Sequence, residues 1–244
     1  MTTKSAVELT QATDYSRSEP LPDPPWEYEM MQSKPISKFQ ELLEPRFQGQ
    51  DDVLIIGPAG YLCRTRGDMN PTFVPDGIFA REVADPDGII ASNGYVIDEV
   101  GKPPDLVLEV ASRSTGRRDY TVKREGYALF GVAEYWRFDP SGGDYHDVAL
   151  AGDRLLDGKY EPIEIREDAN GLLWGYSAVL DLHICWDDGG LRFRDPTTME
   201  FLLSNAESHA ELGEAHAKLD LERERRLSAE AEAARLREQL RRLQ

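Results

Sequence analysis

The sequence predicts an α/β domain on a mixed, partly parallel sheet flanked by helices, followed by one long helix. Three observations predict it. "PDLVLEVAS" (residues 104–112) is an almost continuous apolar run of strand length, followed by a helical stretch and then by "EYWRFDP" (134–140), a second strand. Strand, helix and strand in that order imply parallel strands joined by a crossover. Residues 144–195 are punctuated by Asp157-Gly158, Asn170-Gly171 and "DDGG" at 187–190, the spacing of a β meander. From Phe201 to Gln244 there is no proline and a single glycine, Gly213, in a stretch dominated by Ala, Glu, Leu and Arg.

The remaining elements follow in order. Residues 1–28 are polar and Pro-rich toward their end and are expected to be disordered. "SKFQELLEPRF" (37–47) puts Phe39, Leu42 and Leu43 on one helical face. "DVLIIG" (52–57) reads as a strand, "YLCRTR" (61–66) as its partner, and "TFVPDGIFA" (72–80) as a strand interrupted by Pro75 and Gly77. Residues 81–104 look loop-rich, with turn signals at Asp87-Gly88 and Asn93-Gly94. In "DYTVKREGYALFG" (119–131), Asp119 suits an N-cap and Gly131 the position just past the helix end. Three regions result: a disordered segment at 1–28, the α/β domain at 29–205, and a C-terminal helix at 206–244. In that helix Leu212, Leu219, Ala233 and Leu240 share one heptad position, and Ala215, Ala229, Leu236 and Leu243 the complementary one. Glu222 and Arg226 interrupt the seam. The helix is expected to pair with others and make the protein an oligomer.

Composition narrows the function. With 244 residues, 40% of them hydrophobic, the chain can bury a sizeable core. No run of eighteen apolar residues suggests a membrane span, and the N-terminus lacks the apolar core of a signal peptide. Two cysteines do not make a disulfide framework, so a cytoplasmic protein is expected. A net charge of −17 argues against generic adhesion to nucleic acid, but a local basic stretch, Arg113, Arg117, Arg118, Lys123 and Arg124, follows the apolar strand.

The chemistry centres on Glu109. A carboxylate inside a buried strand is costly unless it is paired or binds a metal. Asp76, beside a Pro-Gly break, is a second acid that the fold could place next to it. Two carboxylates on neighbouring strands suit Mg²⁺ or Mn²⁺, which keep several waters. Lys123, on the following helix, could return over the same strand end. Metal, water and ammonium together suit phosphodiester hydrolysis. Each residue also has a plainer reading. Asp76 can be a turn residue, Glu109 the partner of a buried arginine, and Lys123 a solvated helix residue. Tyr127, Tyr135 and Trp136 read as core or rim residues. His146, His183, His209 and His216 lack metal-ligand spacing.

"FVPDGIFA", "PPDLVLEVASRSTGRRDYTVKREGYALFGVAEYWRFDP" and "GLLWGYSAVLDL" together resemble the Uma-two family of restriction endonucleases, part of the PD-(D/E)xK nuclease-like superfamily. The resemblance spans about residues 35–205 and implies a restriction-endonuclease-like fold and a metal-dependent endonuclease acting on DNA. It assigns Asp76 and Glu109 to the metal and Lys123 to the catalytic lysine. The superfamily pattern would place that lysine two residues after Glu109, where Ala111 stands. An acid on the first helix is also implied, with Glu41 and Glu44 as candidates. Arg113, Arg117 and Arg118 are expected phosphate contacts. The rival expectation is a catalytically idle nuclease-like fold that binds or assembles through its C-terminal coiled coil, a reading the acidic charge favours.

Overall fold

A computed structural model describes residues 30–58, 60–112 and 119–242 of the chain. The 1–28 segment, Arg113, Arg117, Arg118, the Asp119 side chain and Leu243 lie outside the described residues. Contacts divide the chain into two units, one ending at Leu202 and one beginning at Leu203.

The first unit is built on a six-stranded mixed sheet. Its strands are β1 (Leu54–Ile56), β4 (Gly77–Ala80), β6 (Leu106–Val110), β7 (Glu134–Phe138), β8 (Leu150–Leu156) and β9 (Lys159–Pro162), in the spatial order β1-β4-β6-β7-β8-β9. Only β6 and β7 run parallel. They are joined through a π-helical turn, Asp119–Lys123, that runs into helix α4 (Arg124–Phe130). Gly131 ends α4 at φ 88°, a left-handed conformation that glycine adopts without a Cβ clash. This is the strand–helix–strand unit that the sequence implies.

Alternation along the strands sorts side chains to two faces. Leu106, Leu108, Val110, Trp136 and Phe138 pack with Ile36, Phe39, Leu42 and Leu43 of helix α1 (Met30–Arg46). The same cluster takes in Leu182, Ile184, Leu191 and Phe193. These belong to β12 (Leu182–Asp187) and β13 (Gly190–Arg194), which form an antiparallel sheet with β10 (Ile165–Glu167) and β11 (Leu173–Ser177). On the opposite face Ile78, Ala80, Val107 and Tyr135 pack with Tyr127 and Phe130 of α4. A three-stranded sheet joins them there: β2 (Tyr61–Thr65) between β3 (Asp68–Phe73) and β5 (Gly94–Val96). The mixed α/β class holds.

Four local expectations change. The strand at 61–66 does not partner β1; it pairs with β3 and β5. The stretch 72–80 is two strands, because Pro75 has no N–H for a ladder, so Asp76 directly precedes β4. The loop-rich stretch contains two short helices, α2 (Pro86–Ala91) and α3 (Ile97–Val100). Asp85 accepts a hydrogen bond from the Gly88 N–H at 2.9 Å and Pro86 begins α2, so the Asp-Pro-Asp-Gly signal starts a helix rather than a bare turn. The meander splits: β8 and β9 extend the main sheet, and only β10–β13 stand apart.

The second unit is helix α5 (Asn205–Arg242), about 57 Å long at ~1.5 Å per residue. It starts on a capping box. The Ser204 N–H donates to Glu207 Oε2 at 2.8 Å, and the Glu207 N–H donates to Ser204 Oγ at 3.2 Å. No residue of α5 is buried, and Leu212, Leu219, Leu236 and Leu240 are all more than half exposed. No helix among the described residues is long and apolar enough to cross a membrane.

Candidate active site

The site forms where β4 begins and β6 ends. The antiparallel register puts Gly77 opposite Leu108, so the next positions outward are Asp76 and Glu109. Both follow the alternation of Ile78 and Val107 and face α4. Both are buried, Asp76 at 6% and Glu109 at 1% exposure. Buried carboxylates need partners, and the structure supplies them from three elements.

Asp76 completes the ladder where the β4–β6 pairing ends: its Oδ2 accepts the Val110 N–H at 2.7 Å. The Val110 carbonyl is held from the other side, by Gln32 Nε2 of α1 at 2.7 Å. The backbone of the residue after Glu109 is therefore gripped at both its polar groups. Glu109 takes its partners from the crossover. Lys123 Nζ lies 2.6 Å from Oε2, and the Tyr127 hydroxyl donates to Oε1. Lys123 and Tyr127 are four residues apart and so lie on the same helix face. Lys123 thus reaches Glu109 from the crossover, while Ala111, two residues after Glu109 on the strand end, is fully buried.

The crossover is pinned tightly. Arg124 forks onto Asp153 of β8 with contacts of 2.8 and 3.1 Å, and Arg137 of β7 reaches the same carboxylate at 2.9 Å. The bond to Asp153 raises the Arg124 pKa further above its ordinary value. The Tyr127 ring packs on Phe73, centroids 4.9 Å apart, and on Tyr135 at 5.1 Å. Gly126 sits directly over the Phe73 ring, where an added Cβ would come 2.1 Å from Cζ.

The first-helix acids lie elsewhere. Glu41 pairs with Lys38 at 3.0 Å, and Glu44 accepts from Gln40 at the exposed side of α1. They stand nine and twelve residues beyond Gln32, roughly 13 and 18 Å along the helix at ~1.5 Å per residue. Gln32 is the α1 side chain that reaches Val110, and the sequence reading passed over it. Its signal was present: Gln32, Ile36, Phe39 and Leu43 fall on one buried helical stripe, with a single polar member. Tyr127, which the sequence marks as a core or rim residue, is buried, and its hydroxyl donates to the Glu109 carboxylate.

Asp76 and Glu109 offer carboxylate oxygens from facing positions at the ends of β4 and β6. That chemistry fits a hard divalent cation that keeps several waters. Among the described residues no group of three or more His, Cys, Asp and Glu side chains could hold a metal, so the fit is to an ion with a small protein ligand set.

One crystal structure, described as "a putative nuclease belonging to DUF820" from Anabaena variabilis, aligns with a TM-score of 0.45 at 14% identity, over 69% of this chain and 84% of that one. No curated protein matches in sequence. The model of the Uma2 family, described as "Putative restriction endonuclease", matches residues 33–174. That match takes in more than half the chain, together with Asp76, Glu109, Lys123 and Tyr127, and the chain belongs to the Uma2 family.

Proposed function

We propose that the protein is a metal-dependent endonuclease that hydrolyses DNA phosphodiester bonds. Asp76 and Glu109 hold Mg²⁺ or Mn²⁺, and Lys123 is the catalytic lysine. The observation that carries this reading is the ammonium of Lys123 set 2.6 Å from a buried carboxylate whose neighbour across the sheet is a second acid. A bound divalent ion supplies a more acidic water and neutralises charge on the phosphate. The chain's own groups do the rest. The Val110 N–H fixes the orientation of the Asp76 carboxylate, and Tyr127 fixes that of Glu109. Lys123 keeps a compact positive charge beside them, where negative charge develops on the scissile phosphate. Arg113, Arg117 and Arg118, which follow β6 in sequence, are proposed phosphate contacts, and the exposed leucines of α5 are proposed to pair helices between molecules.

A second reading has an observation in its favour. Glu109 is already satisfied by Lys123 and Tyr127, as a structural ion pair in an idle nuclease-like fold would be. One experiment separates the two. DNA cleavage and thermal midpoint are measured with and without Mg²⁺ or Mn²⁺, for the parent and for Glu109→Gln. The proposal expects metal-dependent cleavage and a metal-induced rise in midpoint, both lost in the variant. Equal metal stabilisation of both proteins, without cleavage, assigns Glu109 to structure.

A further inference from the structure

We infer that α5 pairs with α5 of a second copy in an antiparallel, two-fold arrangement centred near Glu224. This rests on the reading of α5 as a pairing arm and adds its partner and register. The argument starts from the two residues that spoil the seam. Glu222 occupies one core heptad position and Arg226 the other, one turn on. In a parallel, in-register pair each meets its own copy, stacking carboxylate on carboxylate and guanidinium on guanidinium. Running the second helix the other way, with residue numbers in each layer summing to 448, sets Glu222 against the partner's Arg226, twice by symmetry.

The same register matches the other layers. Leu212 meets the partner's Leu236, Ala215 the partner's Ala233, and Leu219 the partner's Ala229, so large side chains oppose small or equal ones without a like-charge layer. Beside the seam, Lys218 comes near the partner's Glu232. Arg226 now pairs only with Glu230 of its own helix, at 3.6 Å and with both side chains exposed, which does not compete strongly with a partner. Arg223 and Arg225 lie next to the two-fold axis and face their own copies there, a repulsion that solvent exposure and salt limit. With no buried residue among those described in it, α5 has an apolar stripe that such a partner would cover.

Cysteine cross-linking of the full-length chain tests the register. The native thiols do not interfere: Cys63 and Cys185 are buried, and burial raises both pKa values, that of Cys185 to about 12. Residues 212 and 236 are ~36 Å apart along one helix, too far for a bond within a chain. Leu212→Cys combined with Leu236→Cys should give a covalent dimer on oxidation, and each single variant should give none. Ala215→Cys with Ala233→Cys repeats the test without removing a leucine. Arg226→Glu should weaken the dimer about tenfold, and Glu222→Arg in the same chain should restore it. Single variants that cross-link to their own copies overturn the antiparallel register while leaving the pairing arm standing. A chain that light scattering finds monomeric at every concentration overturns both.

Discussion

Glu109 and Glu134 sit on neighbouring parallel strands, and each is 1% exposed. They differ in everything else. Glu134 opens β7 and faces the meander side, where its carboxylate is closed in by neutral donors. Trp136 Nε1 approaches at 3.0 Å, Ser177 Oγ at 2.6 Å and the Ala178 N–H at 2.8 Å, with Arg154 at a longer 3.4 Å. Those donors are fixed by the fold, and Ser177 Oγ also accepts the Leu180 N–H at 3.1 Å. Glu109 stands near the end of β6 on the opposite face, where an ammonium and a phenol reach it from the crossover. The proposal makes Glu109 a metal-holding acid and leaves Glu134 a strut, a difference in role that burial alone does not mark.

The sharpest way to break the comparison is Glu134→Ala. It leaves a buried indole N–H and a buried hydroxyl without their acceptor, at about 1–3 kcal/mol each before relaxation. The expected loss is about 3–5 kcal/mol, a fall in thermal midpoint on the order of 10 °C for a domain of this size. Residual folded protein should cleave DNA normally. Loss of cleavage without loss of stability would make Glu134 a functional residue after all.

Next in size is Lys123→Ala. Turnover should fall about 100-fold, close to 3 kcal/mol, with metal binding little changed. Lys123→Arg should rescue poorly, because a planar guanidinium does not fit a site shaped for a compact ammonium. Calorimetric metal titration beside single-turnover rates checks both variants. Turnover equal to the parent returns Lys123 to an ion-pair role.

Tyr127→Phe probes the same carboxylate more gently. It removes one donor from Glu109 and keeps the ring between Phe73 and Tyr135. Activity should drop about tenfold with a stability change near 1 kcal/mol. An unchanged rate would mean that Lys123 alone orients Glu109.

The smallest effect belongs to the Glu134 side. His183 stacks on Trp174, centroids 4.1 Å apart, and burial, then the Arg194 charge, lower its pKa. A lowered histidine pKa means that the fold favours the neutral ring. Stability is therefore whole above about pH 6.5 and declines as pH falls below it, as the unfolded chain takes up the proton first. His183→Gln should flatten that part of the stability profile, by less than about 1 kcal/mol, and leave the pH dependence of cleavage unchanged. A shift in the cleavage profile would tie the meander to the site.

Much of this was legible in the sequence, for identifiable reasons. Glu109 announced itself by interrupting an apolar strand, and the strand–helix–strand order gave the parallel pair and the return of Lys123. Gln32 gives a fainter signal, as the one polar member of the stripe that Ile36, Phe39 and Leu43 form. An uncharged residue that holds a backbone carbonyl leaves no charge pattern, whereas the family resemblance points to an acid on that helix, Glu41 or Glu44. The placement of β2 was not legible either: its partners β3 and β5 are chosen by tertiary packing, and adjacency in the chain suggested β1. The division of the meander likewise depends on β8 finding the free edge of β7, a contact that turn signals do not encode.

The missing side chain at Gly126 has a consequence of its own. The distance between the crossover helix and β3 is gauged by one hydrogen atom resting on the Phe73 ring. Any larger residue there would force the helix and β3 apart and so disturb the seat of Lys123 and Tyr127, which reach Glu109 from the crossover. A site calibrated this way tolerates no side chain at position 126 without rearrangement. Gly126→Ala would leave every proposed catalytic residue in the chain and still set the enzyme out of adjustment, and only a smaller residue at 73 could reset it.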